Sequence, residues 1–99
     1  MSFRVRFTGA ARDDLKLLFE FLLEQDVQAA RRARDSIVKA TEFLADFPFS
    51  CRKADAGNPF LRELIIPFGR SGYVALFEIV DTTDVVVSAV RHQLEDDYH

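Results

Sequence analysis

The last strand-like segment of the chain is followed by side chains of the types that cleave RNA. Cleavage through attack by the RNA 2'-hydroxyl needs a base for that proton, an acid for the leaving 5'-oxygen and cations for the charged phosphorane. His92 is the candidate base, and Tyr98 or His99 is the candidate acid. The candidate cations are Lys53, Arg62, Arg70 and Arg91. A ribonuclease is therefore one hypothesis for this sequence.

The charge around these residues argues against that chemistry. Residues 1–91 hold thirteen basic and thirteen acidic side chains, so the net charge of -3 comes from Glu95, Asp96 and Asp97. These acids follow His92 closely and would repel a phosphate backbone. A neutral body also lacks the basic surface on which sequence-independent nucleic-acid binding depends. Direct binding of nucleic acid is not expected, and a histidine at the end of an apolar strand is usually an ordinary strand terminus.

The arginines also have an ordinary structural explanation. Arg62, Arg70 and Arg91 lie on or beside strand-like segments. Each can form an exposed ion pair with Glu63, Glu78 or an acid of the tail, worth at most about 1 kcal/mol. Convergence of all three on one side of a sheet would indicate a site, but the sequence leaves the strand register open.

The beginning of the chain has the pattern of a strand followed by a helix. Residues 3–7, FRVRF, alternate apolar and basic side chains, which predicts a strand with one buried face. Thr8 offers a hydroxyl N-cap for a first helix. Asp13 and Asp14 are predicted to lie in its first turn, where the helix dipole favours negative charge.

The first helix has more apolar surface than one face requires. Its core stripe is Ala11, Leu15, Leu18, Phe19 and Leu22. Leu17, Phe21 and Leu23 widen the apolar surface beyond that stripe. A second helix of the same chain is the simpler explanation for this excess, and contact with another protein is the alternative.

A second helix is predicted directly after the first, with Asp26 as its N-cap. Its apolar positions are three and four residues apart, as on one face of a packed helical hairpin: Ala30, Ala33, Ile37, Ala40, Leu44 and Phe47. The connection is so short that the two helices must be antiparallel. The basic residues of this helix alternate with acids, which indicates a solvated outer face: Arg31, Arg32, Arg34 and Lys39.

The second half of the chain has the composition of a β-meander. Residues 50–59, SCRKADAGNP, contain several turn formers and are predicted to be a loop. Three strands then follow, FLRELIIP, GYVALFEIV and DVVVSAVRH. The predicted fold is α+β, with an N-terminal strand and an antiparallel helical hairpin packed on an antiparallel β-sheet in the order β-α-α-β-β-β. No repeat or linker is evident, so residues 1–99 are predicted to form one domain.

The composition narrows the class of protein. A chain of 99 residues, 48% of them hydrophobic, can bury a core without disulfides or metal. Cys51 is the only cysteine and no secretion signal is evident, which predicts a reducing cytoplasm. No apolar run approaches the roughly 18 to 20 residues that span a bilayer. No metal-ligand or phosphate-loop spacing is present, so no metal or cofactor is expected. Arg52 and Lys53 are close enough in sequence to lower the pKa of the Cys51 thiol, but a lone cysteine without an evident base is more often an ordinary thiol.

Four stretches of the sequence together resemble the ParE branch of the RelE/ParE toxin superfamily, the toxins of bacterial type II toxin-antitoxin modules. They are VRFTGAARDDL, ATEFLADFP, LRELIIPFGRSGYVALFEI and VVVSAVRH, in that order along nearly the whole chain. The resemblance implies a toxin held inactive in a hetero-oligomer with a cognate antitoxin. In this family the C-terminal segment of the antitoxin wraps the toxin across the helices and a sheet edge. The apolar surplus of the first helix fits that implication.

The resemblance implies two possible mechanisms. ParE-like members lack catalytic residues and poison DNA gyrase, which is the leading hypothesis here. RelE-like members are ribosome-dependent messenger endoribonucleases, which would make His92, Tyr98, Arg62, Arg70 and Arg91 catalytic. A third hypothesis is a toxin that has lost its activity and binds only the antitoxin.

The leading hypothesis assigns contact with partner proteins to residues on the first helix and at the end of the chain. The expected partner-binding residues are Leu17, Phe21, Arg91, His92 and Tyr98. Residues 93–99 are then expected to be a recognition tail rather than part of a catalytic site.

Overall fold

The chain forms two helices that cover one face of a five-stranded mixed sheet. The computed structural model describes residues 2–69 and 71–92. Its elements are β1 (Arg4–Phe7), α1 (Gly9–Gln25), α2 (Val27–Asp46), a short 3-10 helix (Pro48–Ser50), β2 (Arg52–Asp55), β3 (Asn58–Phe68), β4 (Ser71–Ile79) and β5 (Asp84–His92). The predicted α+β class is confirmed, with corrections to the sheet.

Side-chain caps begin both helices, as predicted. Thr8 Oγ accepts a hydrogen bond from the Ala11 N–H at 3.1 Å, and Asp26 Oδ1 accepts one from the Gln28 N–H at 2.9 Å. The prediction for Asp13 and Asp14 was wrong, because α1 begins at Gly9 and its first turn contains no acid. Neither helix in the described part of the chain is long and apolar enough to cross a membrane.

The sheet has the strand order β1-β5-β4-β3-β2, and two of its features were not predicted. β1 lies parallel to β5, with Arg4 opposite Asp84, so the sheet is mixed rather than antiparallel. Part of the predicted loop is the edge strand β2, which pairs antiparallel with the start of β3. An ion pair of 2.9 Å between Arg52 Nε and Glu63 Oε1 joins these two strands.

The core lies between the helix hairpin and the sheet. Ala11 on α1 and Leu44 on α2 pack in one cluster with Phe77 and Val85, the last two 0% exposed. Phe47, predicted to continue the α2 stripe, is instead 56% exposed. The reason is that α2 ends at Asp46, and Phe47 is the C-cap residue, whose backbone is no longer helical.

A β-bulge decides which side chains at the end of β5 face the helices. The pairing of β4 with β5 shifts by one residue around Ser88, whose hydroxyl donates to the Leu76 carbonyl at 3.3 Å. Beyond the shift, His92 lies opposite Tyr73. Without the extra residue, Arg91 would occupy that position.

Candidate functional site

An apolar groove lies between α1 and the C-terminal end of β5. This end groove has a volume of about 640 Å³ and is lined by Leu17, Leu18, Phe21 and Leu22 of α1, with Phe68 and Tyr73 from the sheet side. Asp14, Arg91 and His92 are its polar lining residues. The structure thus brings together Leu17, Phe21, Arg91 and His92, four of the five predicted partner-binding residues. The fifth, Tyr98, lies outside the described residues.

The helix hairpin leaves the groove side of α1 uncovered. Leu17 is 66% exposed and Phe21 is 58% exposed, and Leu23 is also exposed. The simpler explanation for the apolar surplus, cover by α2, is therefore wrong for these side chains. Leu17 and Phe21 are four residues apart and share one face of α1, whereas α2 packs elsewhere on that helix.

Asp14 fixes the polar side of the end groove by binding two groups of β5. Its Oδ2 accepts a hydrogen bond from the Val90 N–H at 2.9 Å and from Arg91 Nη1 at 2.8 Å. β1 pairs with β5 only as far as Val87, so the side chain of Asp14 takes over the edge of β5 beyond β1. Its side chain is 19% exposed and that of Arg91 is 41% exposed, so the ion pair is partly shielded from water.

His92 belongs to an aromatic wall of the groove. Its ring is edge-to-face with Tyr73 at a centroid distance of 5.5 Å, and Tyr73 is 5.6 Å from Phe68. Burial raises the pKa of the Tyr73 hydroxyl, which stays protonated at neutral pH. Among the described residues, the others that line this groove are mainly apolar or aromatic.

Arg62 has a structural role away from the end groove. Its Nε donates to the Pro59 carbonyl at 2.6 Å, and its Nη1 donates to the Phe49 and Cys51 carbonyls at 3.2 and 2.8 Å. The guanidinium carbon is 5.5 Å from the centre of the Phe49 ring. This arginine therefore holds the chain before β2 against the start of β3, and the predicted pairing with Glu63 or Glu78 was wrong.

The structure does not bring Arg62 and Arg91 together. Arg62 lies opposite Phe77 of β4, whereas Arg91 lies opposite Val74 of the same strand. Arg62 is held at the start of β3 by carbonyls of the chain before β2, whereas Arg91 binds Asp14 of α1 at the end of β5, so the two guanidinium groups lie in different parts of the structure.

The remaining candidates for catalysis do not add to a described site. Lys53 is exposed on the edge strand β2. Arg70, Tyr98 and His99 lie outside the described residues, as does the acidic tail.

Cys51 has the environment of an ordinary buried thiol, the alternative that the sequence favoured over a lowered pKa. The thiol is buried, and burial raises its pKa, while the nearby charge of Arg62 opposes that shift. Arg52 and Lys53 do not set its pKa, because they follow it on an exposed edge strand. Cys51 belongs to the buried core cluster, which gives it a packing role.

Asp14, Phe68 and Tyr73 line the end groove but were not among the predicted site residues. Asp14 is four residues before Leu18 on α1, a spacing that places it on the groove side of the helix. Phe68 and Tyr73 end β3 and begin β4, and only the strand register brings them beside His92. The helical spacing that places Asp14 in the groove is visible in the sequence. The strand register that places Phe68 and Tyr73 there is not.

Comparison with known proteins identifies the class to which this fold and its groove belong. Residues 5–97 match the family described as the ParE toxin of the type II toxin-antitoxin system, parDE. The toxin RelE1 of Caulobacter vibrioides is 33% identical over 95 residues, which are 96% of this chain and 98% of that protein. The toxin RelE3 of the same organism is 36% identical over 85 residues, which are 86% and 88% of the two chains.

Solved structures support the same fold. A chain of the chromosomal ParDE system from P. aeruginosa superposes with a TM-score of 0.69 at 17% identity, covering 92% of this chain and 96% of that one. A mutant of the E. coli toxin RelE in the free state superposes with a TM-score of 0.65 at 16% identity, covering 99% and 92%.

The chain belongs to the ParE toxin family of type II toxin-antitoxin systems, within the RelE/ParE superfamily. The two sequence relatives are named RelE, whereas the matching family is described as the ParE toxin. Family membership makes an antitoxin its partner.

Proposed function

We propose that this toxin acts by binding DNA gyrase in the cytoplasm, without catalytic residues of its own. Its cognate antitoxin neutralises it by covering Leu17 and Phe21 in the end groove. The main support is the character of that groove, which is a concave apolar surface next to an exposed apolar helix face. Such a surface is typical of a protein-binding site.

The surroundings of the candidate catalytic residues support binding over catalysis. A ribonuclease needs several cations near one phosphate, together with a positioned base. Arg62 is held by three backbone carbonyls, and Arg91 pairs with Asp14. His92 packs against the Tyr73 ring. Among the candidate cations in the described residues, Arg91 alone lines the groove beside His92, whereas a phosphate site needs several cations.

A supercoiling assay tests the gyrase target. Purified full-length toxin should inhibit DNA supercoiling by gyrase and stabilise cleaved gyrase–DNA complexes, and addition of the antitoxin should reverse both effects. Normal supercoiling at saturating toxin would remove gyrase as the target. Expression of the toxin without the antitoxin should be tested first as a control. A chain that does not arrest growth has lost its toxicity.

A ribosome-dependent endoribonuclease is the second candidate function. It is favoured by the two Caulobacter vibrioides relatives, whose names are RelE1 and RelE3. It predicts cuts at defined codon positions in translated messages and their loss in His92→Ala. Full toxicity of His92→Ala, with intact messages, would eliminate this candidate and leave the gyrase proposal standing.

A further inference from the structure

A second apolar groove follows the outer seam of the helix hairpin, on the other side of α1 from the end groove. This hairpin groove has a volume of about 370 Å³. Its apolar lining includes Phe7, Leu15, Phe19 and Ile37. On α2, the lining residues Arg34, Val38 and Glu42 are all exposed, and Val38 is 47% exposed.

Arg34, Val38 and Glu42 form a stripe with opposite charges at its ends. They are spaced four residues apart, so they lie along one face of α2. Each charged residue is about 6 Å along the helix axis from Val38. Within residues 2–69 and 71–92, neither Arg34 nor Glu42 takes part in an ion pair. The stripe is thus an apolar centre between two charges that lack a described counter-ion.

We propose that this stripe is the centre of a twofold contact between two copies of this chain. If two α2 helices pack antiparallel with Val38 of both copies on the twofold axis, Arg34 of each copy lies level with Glu42 of the other. The same arrangement sets Asp35 level with Thr41 and Lys39 level with Ile37, so no like charges are opposed. The contact forms two ion pairs around an apolar centre.

The charge pattern favours a second copy over a partner helix of one charge. A uniformly acidic helix in the hairpin groove would attract Arg34 but repel Glu42, and a uniformly basic helix would do the reverse. The stripe has one charge of each sign at equal distances from Val38, so its best complement is its own sequence in the opposite direction. This self-complementarity is what an interface with twofold symmetry requires.

The proposed contact leaves the end groove open. Successive residues of a helix are rotated by about 100°, so Leu17 and Phe19 point to nearly opposite sides of α1. Leu17 and Phe21 line the end groove, whereas Leu15 and Phe19 line the hairpin groove. A dimer can therefore present both end grooves to antitoxin or target, and the proposal does not depend on the identity of the target.

The size of the contact sets its strength. A contact centred on one helix is smaller than the about 800 Å² per partner of a standard stable interface. The dimer should accordingly dissociate on dilution. Because two ion pairs are lost and two repulsions are created, reversal of one charge should weaken it by about tenfold or more.

Charge exchange tests the proposal. Sedimentation equilibrium of the free full-length chain, from about 10 µM to about 500 µM, should show a monomer–dimer equilibrium at low salt. Arg34→Glu and Glu42→Arg should each raise the dimer dissociation constant by about tenfold. The double variant should restore it to within about threefold of the original value. Arg32→Glu, an exposed charge reversal on the other side of α2, is the matched control and should leave it unchanged.

Three results would overturn the proposal. The first is a monomer across the whole concentration range. The second is a double variant that is no better than either single variant while circular dichroism shows an intact fold. The third is a monomeric toxin whose antitoxin affinity falls in both single variants, because the groove would then belong to the antitoxin. Val38→Arg places two cations on the proposed axis, so a folded Val38→Arg variant that still dimerises would also exclude the contact.

Discussion

The Asp14 carboxylate binds both the Val90 N–H and the Arg91 guanidinium through one oxygen, Oδ2, at 2.9 and 2.8 Å. This contact joins the first helix to the last strand, 77 residues later in the chain, at the rim of the end groove. The same carboxylate thus stabilises the edge of β5 and fixes the position of Arg91 in the lining of the groove.

Asp14→Asn should lower the free energy of unfolding by about 1 to 3 kcal/mol, because a charged acceptor for two donors is replaced by a neutral amide. Urea denaturation of the purified toxin measures the change. Asp13→Asn is the matched control, since Asp13 is exposed and should change stability by less than about 0.5 kcal/mol. Equal effects of the two variants would show that the contact contributes nothing specific.

Phe21→Glu should weaken antitoxin binding by about 30-fold or more, because it places a charge where an apolar anchor is expected. The fold should tolerate it, since Phe21 is 58% exposed in the free chain. Phe47→Glu is the control at 56% exposure, outside the end groove, and should leave the affinity unchanged. Isothermal titration with purified antitoxin distinguishes them, and equal losses in both variants would contradict the assignment of the end groove.

Asp81 should stabilise the fold near neutral pH and contribute to the loss of stability in acid. Hydrogen bonds from the Thr83 N–H, the Thr83 hydroxyl and the Asp84 N–H lower the pKa of its carboxyl group below the ordinary value of 3.8. A lowered pKa in the folded state means that its contribution is present above pH 3.8 and is lost as the pH falls through the folded-state pKa. In the Asp81→Asn variant, the urea midpoint should therefore fall less steeply as the pH is lowered through the acid range. A fall as steep as that of the exposed control Asp46→Asn would rule out this role.

Deletion of residues 93–99 tests the predicted recognition tail. The segment lies outside the described residues, and its role stays a prediction from the sequence. Terminal residues contribute little packing, so the thermal midpoint should hardly change, whereas toxicity or antitoxin affinity should. Under the ribonuclease hypothesis the deletion removes Tyr98 and abolishes cleavage. An unfolded truncated chain would mean that the tail is part of the packed structure.

Local chemistry explains which elements the sequence predicted well. Thr8 and Asp26 cap the helices as expected, because a side-chain oxygen next to an apolar periodic segment is a signal within a few residues. The exposed apolar face of α1 was visible in the same way, from the spacing of Leu17 and Phe21. The sequence of α1 alone does not show whether that face is covered, because this depends on how the helix hairpin packs on the sheet.

The missed features depend on pairing between distant residues. β2 has four residues with no apolar alternation, and its pairing with β3 defines it as a strand. The bulge at Ser88 has no glycine or proline to mark it, yet it places His92 rather than Arg91 opposite Tyr73. The composition of the candidate site was therefore predictable in part, but its geometry required the strand register.

The parallel pairing of β1 with β5 also constrains when this protein can fold. Arg4 lies opposite Asp84, so β1 pairs with β5, the described strand that is synthesised farthest after it. Contacts between residues so far apart in sequence must form late and make folding slow compared with that of a helical bundle of similar size. Until β5 has been synthesised, β1 lacks its strand partner and α1 lacks the strand against which it packs most. The nascent toxin therefore passes through an incomplete state in which a binding partner already present in the cell could reach it before the sheet is complete.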